Sequence, residues 1–270
     1  MKELIEPVIA LAIEAGQAIM PFWRQGTQVH TKDDQSPVTA ADLAAHKILA
    51  EGLGALAADI AVLSEEDADI DQATRAAWQR WWLVDPLDGT KEFISDSPEF
   101  TVNIALIENA QVVFGVVHVP ATGVTYFGGK AFGAFKRDAA GTQAIGVRQT
   151  PSEAFVVVAS RRHSSPAQEA LLQGLAEQVG TLELSNIGSS LKFCLLAEGL
   201  ADCYPRLAPT SQWDTAAAQG VVEGAGGVVL ELNGEAFSYP ARASLLNPSF
   251  LCLPANAPWR EALLAKAKAL

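Results

Sequence analysis

The sequence predicts an α/β protein: a layered sandwich with an α+β N-terminal lobe and an α/β C-terminal lobe. Two segments with helical spacing open the chain, and short apolar runs then follow one another without an intervening helix. Consecutive strands of this kind indicate antiparallel pairing. After about residue 150, strand-like and helix-like segments alternate, which favours helices that cover a sheet. We therefore predict two lobes, residues 1–148 and 149–270.

The N-terminal lobe begins with apolar residues that recur at helical spacing from Leu4 to Phe22. This spacing predicts an amphipathic helix over residues 3–23. A polar loop then leads to a second helix that begins near Thr39. Four apolar runs bounded by turn residues follow and predict strands. These strands are expected at residues 60–63, 81–84, 101–107 and 112–119.

The C-terminal lobe begins with the stretch FVVVAS, which predicts a strand over residues 155–160. Strands and helices then alternate along the rest of the chain. Helices are expected at residues 165–178, at residues 189–198 and after Trp213, and strands at residues 201–204 and 226–232.

The composition is that of an ordinary globular protein, with 49% hydrophobic and 19% charged residues in a chain of 270. The net charge of −12 argues against a nucleic-acid binder or a general binder of anionic membranes, since either needs a basic face. An anionic substrate must therefore meet locally placed cationic side chains or metal ions.

The three cysteines, Cys194, Cys203 and Cys252, lack CxxC spacing and indicate neither a disulfide framework nor a zinc cluster. A reducing cytoplasm is the expected location. Acidic residues interrupt the apolar N-terminal segment, so we expect no signal peptide and no integral membrane segment. The sequence leaves open a homodimer and a peripheral association with the inner membrane.

The stretch WWLVDPLDGTKEF, residues 81–93, ends an apolar run in two aspartates three positions apart. Asp-Pro and Asp-Gly are common turn dipeptides, so a plain turn is one interpretation of Asp85 and Asp88. The apolar run predicts burial, however, where an unpaired carboxylate is costly and two close carboxylates favour a cation. Hard ions such as Mg²⁺ prefer carboxylate and carbonyl oxygens. The carbonyl of Leu87 is therefore a third candidate ligand.

Gly89 and Thr90 follow these aspartates and open a predicted helical turn. Free backbone N–H groups at such a turn suit a phosphate. The Thr90 hydroxyl is placed to orient a water molecule.

Acidic residues in other segments fit the same site, although each has an alternative structural explanation. Glu65 follows a predicted strand within SEE, and a solvated acidic loop is the alternative. Asp214 stands at the start of an Ala-rich helix, where it would also serve as an N-cap. Asp42 lies three residues after Thr39, which is the spacing of a capping box.

Taken together, VDPLDGT, the preceding SEE and the later WDTAAA resemble the lithium-sensitive, Mg²⁺-dependent phosphatase superfamily that includes inositol monophosphatase. The strings SPVTAAD, LSEED, WLVDPLDGTKEF, SRRH, GSSLKFCLLAEGLADCYPR and WDTAAAQ follow the order of its CysQ-type 3'(2'),5'-bisphosphate nucleotidase branch. The resemblance covers nearly the whole chain. It implies a layered α/β sandwich, two or three Mg²⁺ ions, and hydrolysis of 3'-phosphoadenosine 5'-phosphate to AMP and phosphate in sulfur metabolism.

The resemblance also implies roles for individual residues. The metal ligands would be Glu65, Asp85, Leu87 through its carbonyl, Asp88 and Asp214. The catalytic residues would be Asp42, Glu65 and Thr90. The substrate-binding residues would be Gly89, Thr90, Lys91, Ser160, Arg161, His163, Ser189, Lys192 and Arg206. For the cationic members there are plain alternatives: a solvated loop at residues 161–163, and a Lys192 whose ammonium reaches water from the core.

Two other functions stay open at this point. The first is an inositol or other sugar-phosphate monoesterase, which the cationic residues argue against because they suit a second phosphate. The second is a catalytically silent metal-binding protein on the same fold, which the complete set of catalytic residue types argues against. The expected partner is a small-molecule nucleotide bisphosphate, and no nucleic acid is expected.

Overall fold

The computed structural model of the chain describes residues 2–25, 29–31, 37–149, 154–159 and 166–269. A short 3-10 turn, Met20–Phe22, continues the first helix. Within the described ranges the helices are α1 (Lys2–Ile19), α2 (Ala40–Leu56), α3 (Gln72–Ala76), α4 (Thr90–Ile94), α5 (Pro166–Val179), α6 (Leu191–Ala197), α7 (Trp213–Gly224) and α8 (Arg260–Ala267).

The described strands form one large sheet and several smaller ones. The strands are β1 (Val29–Thr31), β2 (Pro37–Thr39), β3 (Ala61–Ser64), β4 (Arg80–Asp88), β5 (Thr101–Glu108), β6 (Gln111–Val119), β7 (Val124–Gly129), β8 (Gly133–Asp138), β9 (Gly141–Ile145), β10 (Phe155–Ala159), β11 (Leu182–Asn186), β12 (Tyr204–Arg206), β13 (Gly227–Glu231) and β14 (Phe250–Pro254).

The large sheet has the strand order β3-β4-β5-β6-β7-β8-β9. All neighbours from β4 to β9 are antiparallel, which confirms the expectation for consecutive strands. The strands β3 and β4 are parallel, so the antiparallel expectation is wrong for this pair. Parallel neighbours need a crossover connection, and the segment that contains α3 provides it.

Both faces of the large sheet are covered by helices. Trp82 of β4 shares a buried cluster with Ile9 of α1 and Leu49 of α2. The neighbouring Trp81 belongs to a different cluster, which contains Ala217 of α7. Successive side chains of a strand point to opposite faces. A strand buried on both faces is therefore an uninterrupted apolar run, as WWLV is.

A second sheet, with the order β12-β14-β13, covers the other side of α6 and α7. Phe250 and Cys252 of β14 face the α7 cluster, whereas Leu251 and Leu253 join a cluster with α5 and α8. The parallel pair β10-β11 is connected to this sheet by a bridge at Val157. The layers therefore run helices, sheet, helices, sheet, helices, which confirms the predicted α/β sandwich.

The predicted boundary between the two lobes lies between β9 and β10. One hydrophobic cluster crosses it, because it contains Trp81 and Ala105 of the large sheet together with Ala217 and Val221 of α7. The division into lobes at residues 148 and 149 stays a prediction.

Glycines allow α7 to lie close to the large sheet. A Cβ atom on Gly115 of β6 would lie 1.9 Å from the carbonyl oxygen of Ala217. A Cβ atom on Gly224 would lie 2.5 Å from the carbonyl oxygen of Gly133. These backbone contacts set the position of α7, and with it the position of Asp214.

One predicted strand lies elsewhere in the structure. Residues 201–204 were expected to form it, but β12 is Tyr204–Arg206. The backbone N–H of Asp202 donates instead to Val156 of β10 over 2.8 Å, and its carboxylate accepts from Arg148. This segment therefore connects β10 to the second sheet before β12 begins.

Residues Lys2–Phe22 are long and apolar enough to cross a membrane by length and composition alone. A core helix passes the same test. In this structure Val8, Ile9, Ala12 and Ala15 are 0–1% exposed, and α1 packs against α2 and β6. No integral membrane segment was expected, and the described residues contain one helix that could span a membrane by length and composition. Its buried apolar residues pack against α2 and β6.

Candidate active site

The end of β4 carries three of the candidate metal ligands. Asp85 and Leu87 are each 1% exposed, and Asp88 is half-buried. The register with β5 shifts between Asp85 and Asp88, beside Pro86, which has no N–H to donate. The N–H of Leu87 donates to Asp85 Oδ1 over 3.0 Å. Asp85 and Pro86 lie within β4 at this irregularity, and only Gly89 after Asp88 is in a turn, so an exposed turn does not explain Asp85.

Acidic residues from several elements act on Asp85. Burial raises the pKa of Asp85 well above its ordinary value, and the charges of Glu65, Asp88, Asp214 and Asp42 raise it further. Glu65 reaches this place because β3 runs beside β4, and its N–H donates to the carbonyl of the residue before Asp85 over 3.1 Å. The structure therefore gathers acids from α2, the end of β3, β4 and α7.

Asp214 lies in the first turn of α7, but it is not the N-cap. The cap is Gln212, so the capping interpretation is wrong. The N–H of Ser211 donates to Asp214 Oδ2 over 2.8 Å. Burial, followed by the charge of Asp88, raises the pKa of Asp214 to about 8. Desolvation and the neighbouring acids therefore both oppose the charge of Asp214, which is half-buried.

Asp42 caps α2 and also reaches Thr90. The predicted capping box is confirmed, because Asp42 Oδ2 accepts from the N–H of Thr39 over 2.8 Å and from its hydroxyl over 2.6 Å. The other oxygen, Oδ1, lies 3.3 Å from Thr90 Oγ1. The hydroxyl of Thr90 also lies 3.3 Å from the carbonyl of Leu87. Burial raises the pKa of Asp42 despite its hydrogen bonds to Thr39.

Gly89 begins the short helix α4 with a φ of +90°. This left-handed conformation favours glycine. A Cβ atom there would also lie 2.9 Å from the carbonyl oxygen of Glu99. The chain can therefore turn into α4 directly after Asp88, which leaves the first N–H groups of the helix beside the acids.

An open cleft joins this acidic group to basic side chains. Asp88 and Asp214 line one part of it, and Lys91, Lys192 and Arg206 line another. The cleft is completed by Gly89, Glu92, Ile187, Gly188, Ser189, Phe193, Tyr204, Thr210 and Thr215. A single cleft thus offers both carboxylates and cations.

Lys192 lies in the wall of this cleft and is mostly buried, and its contact with a substrate stays a prediction. Lys192 is 7% exposed, and its Nζ donates to the carbonyl of Ser189 over 2.7 Å. Burial lowers the pKa of Lys192 to about 8, whereas the charge of Asp88 opposes this shift. Arg206 is 8% exposed and donates to the carbonyls of Ala208 and Pro209 over 3.1 Å each.

Ser160, Arg161 and His163 lie outside the described residues. Their contacts with a substrate stay predictions.

The acidic group suits a divalent cation in its donor chemistry. In the described residues, Asp85 uses Oδ1 for a protein hydrogen bond, and Asp88 and Asp214 use Oδ2. No described lysine or arginine pairs with these three aspartates within 4 Å. Buried carboxylates without such partners are compensated by a cation.

The geometry of the acidic group is less complete than its chemistry. Across the described part of the chain, no three or more His, Cys, Asp or Glu side chains are already arranged to hold a metal ion. Close carboxylates repel one another, and this repulsion is relieved by protonation of one of them or by a cation between them. The residues therefore fit a metal ion by their charge and by the type of their oxygen ligands.

Sequence reasoning missed two polar residues at this site, Asn103 and Ser190. Asn103 is 1% exposed and Ser190 is 2% exposed. The hydroxyl of Ser190 donates to Asp88 Oδ2 over 2.8 Å. The only signals in the sequence were an Asn within the apolar stretch TVNIAL and a Ser directly before the segment LKFCLLA.

Known proteins resemble the chain over nearly its whole length. The model of the inositol monophosphatase family matches residues 1–268. The 3'(2'),5'-bisphosphate nucleotidase CysQ of Salmonella typhimurium is 47% identical over 249 residues, which are 92% of this chain and 98% of the relative. The protein of the same name from Escherichia coli strain K12 is 46% identical over 250 residues, with the same coverage.

Solved structures agree with this result. The crystal structure of CysQ from Bacteroides thetaiotaomicron has a TM-score of 0.84 and 36% identity, and the match covers 94% of this chain and 98% of that one. The Thermotoga maritima IMPase has a TM-score of 0.79 at 24% identity and therefore supports the fold alone. By its family match and by these relatives, the chain belongs to the inositol monophosphatase family.

Proposed function

We propose that the chain is a Mg²⁺-dependent phosphatase that converts 3'-phosphoadenosine 5'-phosphate to AMP and phosphate. The observation that carries this proposal is the cleft in which Asp88 and Asp214 share one lining with Lys91, Lys192 and Arg206. A metal-bound phosphate at the acidic part and a second phosphate at the basic part would occupy both. The relatives named as 3'(2'),5'-bisphosphate nucleotidases support the same substrate class.

The metal ions would bind beside the acids at one end of the cleft. The residues that would hold two or three Mg²⁺ ions are Glu65, Asp85, Leu87 through its carbonyl, Asp88 and Asp214. When bound, such ions lower the pKa of coordinated water and stabilise the charge that develops on the phosphate oxygens. The buried carboxylates supply the oxygen ligands that Mg²⁺ prefers.

Asp42 and Thr90 would orient the attacking water, with Glu65 as its second acidic neighbour. The Thr90 hydroxyl proton is directed to Asp42 Oδ1 or to the Leu87 carbonyl, each 3.3 Å away. The lone pairs of Thr90 Oγ1 then remain to accept a hydrogen bond from water. Asp42, whose pKa is raised by burial, is able to accept the proton that water loses.

The phosphates would be held by backbone and cationic groups. Gly89 and Thr90 would offer N–H groups to the scissile phosphate, and Lys91, Ser189 and Arg206 line the cleft beside them. The net charge of −12 does not prevent this, because screening beyond about 8 Å leaves local cations to dominate. Cytoplasmic location is proposed as well, since the three cysteines are free and buried.

Phosphate release from a panel of substrates tests the proposal. Purified protein with Mg²⁺ should release phosphate efficiently from 3'-phosphoadenosine 5'-phosphate, and only slowly from inositol 1-phosphate and fructose 1,6-bisphosphate. A preference for inositol 1-phosphate would show a sugar-phosphate monoesterase instead. No release from any of the three, in protein that still binds Mg²⁺, would show a catalytically silent relative.

A further inference from the structure

Two buried residues with no assigned role hold the Asp88 carboxylate. The backbone N–H of Ser190 donates to Asp88 Oδ2 over 2.6 Å, and the Ser190 hydroxyl lies 2.8 Å from the same oxygen. The side-chain amide of Asn103 donates to Ser190 Oγ over 2.9 Å and lies 3.4 Å from Asp88 Oδ2. In the described residues, every hydrogen bond to this carboxylate falls on Oδ2. The other oxygen, Oδ1, is left for another partner.

The hydrogen bonds of Ser190 also connect Asp88 to α7. Its hydroxyl lies 2.8 Å from Asp88 Oδ2 and 2.8 Å from the backbone carbonyl of Asp214. A hydroxyl has one proton to donate and can accept as well. Because Asn103 supplies the hydrogen that Ser190 Oγ accepts, the Ser190 proton is directed to these two acceptors. Two candidate metal ligands from distant parts of the sequence are thereby fixed relative to each other.

The backbone before Ser190 is held in a sparsely populated conformation. Ser189 has a φ of +47°, in the left-handed region that side chains other than glycine rarely adopt. Two contacts maintain it: the N–H of Gly188 donates to Glu99 Oε2 over 2.8 Å, and Lys192 Nζ donates to the Ser189 carbonyl over 2.7 Å. Strain of this kind persists only where the surroundings impose it. Here it places the Ser190 N–H against Asp88.

A role in packing alone does not account for Asn103. Its side-chain oxygen is buried without a hydrogen-bond partner in the described part of the chain. An unsatisfied buried acceptor destabilises a core, and an apolar side chain of the same size would avoid this. The Asn103 side chain therefore acts as a hydrogen-bond donor, and its NH₂ group faces Ser190 and Asp88.

We propose that Asn103 and Ser190 are positioning residues that orient the Asp88 carboxylate toward a divalent cation and hold it in register with Asp214. This inference rests on the metal site of the proposed function, but not on the identity of the substrate. Removal of a side chain that orients a metal-ligating residue by a hydrogen bond typically changes the metal affinity 10–100-fold. The effect on Mg²⁺ should therefore exceed any effect on substrate binding.

The test compares Ser190→Ala and Asn103→Ala with the wild type in two titrations. In the first, the melting temperature is followed against Mg²⁺ concentration without substrate. In the second, phosphate release is followed against Mg²⁺ concentration. We expect Ser190→Ala to raise the Mg²⁺ midpoint about 10–100-fold in both titrations, with KM at saturating Mg²⁺ changed less than about twofold. Asn103→Ala should shift the midpoint in the same direction by a smaller factor.

Thr101→Val is the matched control. Thr101 lies on the same strand as Asn103, is 0% exposed, and has a hydroxyl without a partner in the described residues. Its Mg²⁺ midpoint should equal that of the wild type. An equal shift in Thr101→Val would show that the effect arises from general packing. A changed KM with an unchanged Mg²⁺ midpoint in Ser190→Ala would show that Ser190 contacts the substrate. Either result overturns the proposal.

Ser190→Cys covers the case in which Ser190→Ala does not fold. Its thiol is a weaker donor than the hydroxyl it replaces, so its Mg²⁺ midpoint should lie above that of the wild type. A Ser190→Cys midpoint equal to that of the wild type contradicts the proposal when Ser190→Ala does not fold. The thermal titration remains valid if the substrate panel shows another phosphatase activity, which separates failure of this inference from failure of the proposed substrate.

Discussion

Asp85 is the acid of the site whose negative charge is most strongly disfavoured by its surroundings. It is 1% exposed, and burial and four other acids all raise its pKa. A neutral side chain of the same shape would remove both unfavourable effects. The acid is therefore understandable only through a cation that binds beside it.

Asp85→Asn should abolish stabilisation by Mg²⁺. At 100 times the dissociation constant, a ligand of the folded state adds about 2.7 kcal/mol, which raises the melting temperature by roughly 5–10 °C in a chain of this size. We expect this rise for the wild type and less than about 2 °C for Asp85→Asn. In EDTA the variant should be at least as stable as the wild type, because it lacks the buried charge. Differential scanning fluorimetry measures both.

Asp59→Asn serves as the control for this experiment, since Asp59 is an exposed acid after α2. It should retain the full response to Mg²⁺. A normal response of Asp85→Asn would show that Asp85 does not hold a metal ion.

His118 gives the protein a separate dependence on pH, away from the acids. It is 4% exposed, and its Nδ1 lies 2.9 Å from Thr125 Oγ1. Burial lowers the pKa of His118 to about 4, from an ordinary value of 6.5. Between these values the unfolded chain binds more protons than the folded one, so stability falls as pH falls. Relative to His118→Gln, the wild type should lose about 2 kcal/mol between pH 7 and pH 5.

Urea unfolding at the two pH values measures this difference, and His118→Gln corrects for every other titrating group. Equal losses in both proteins would show that His118 is protonated in the folded state.

Sequence reasoning found the charged residues of the site but missed two neutral ones, Asn103 and Ser190. Asp85 and Asp88 were identifiable because acids after an apolar run contradict burial. Asn103 and Ser190 were not, because a buried amide or hydroxyl has many ordinary roles. Their role depends on which side chain lies opposite, and this is set by the register of β4 with β5 and by the approach of α6.

At the scale of secondary structure, β4 and α7 determine where the acids meet. The burial of β4 could be predicted from WWLV, since both faces of a covered strand are apolar. The parallel pairing of β3 with β4 could not, because α3 has only five residues and gives little periodic signal. The contact of α7 with the sheet could not be predicted either, since the sequence does not show that glycines in a helix and in a strand pack against each other.

Gly115→Ala tests this contact. The new Cβ would lie 1.9 Å from the carbonyl oxygen of Ala217, and a backbone atom cannot move without shifting α7. Overpacking of this severity should destabilise the fold by about 3 kcal/mol or more. Because α7 carries Asp214, the midpoint for activation by Mg²⁺ should rise as well. Chemical unfolding and a Mg²⁺ titration measure the two effects.

Gly54→Ala is the control, since a Cβ there has no atom within 4 Å and α2 is helical at this position. It should be neutral or stabilise the protein by up to about 1 kcal/mol. Equal stability of Gly115→Ala and the wild type would show that α7 lies further from the sheet than described.

At the scale of the whole molecule, the candidate site exists only when both predicted lobes are folded. Glu65, Asp85 and Asp88 come from one lobe, and Asp214 and Ser190 come from the other. The hydrophobic cluster between them is shared, because it includes side chains of the large sheet, α6, α7 and β14. From the order of its strand-like and helix-like segments, the sequence predicted a layered α/β sandwich. It did not predict the shared cluster, because the sequence does not show which apolar residues of the two parts face each other.

This shared core predicts that the chain unfolds as one unit, and the cysteines can report it. Cys194 and Cys252 lie in the shared cluster and Cys203 in the outer one, each 0–1% exposed. Burial raises the pKa of all three thiols, which further suppresses their reactivity. We expect no reaction with a thiol reagent in native buffer, and exposure of all three at one urea concentration that matches the loss of circular dichroism. Labelling of Cys203 at a lower urea concentration than Cys194 would show that the outer layer unfolds first, and the single-unit prediction would then be wrong.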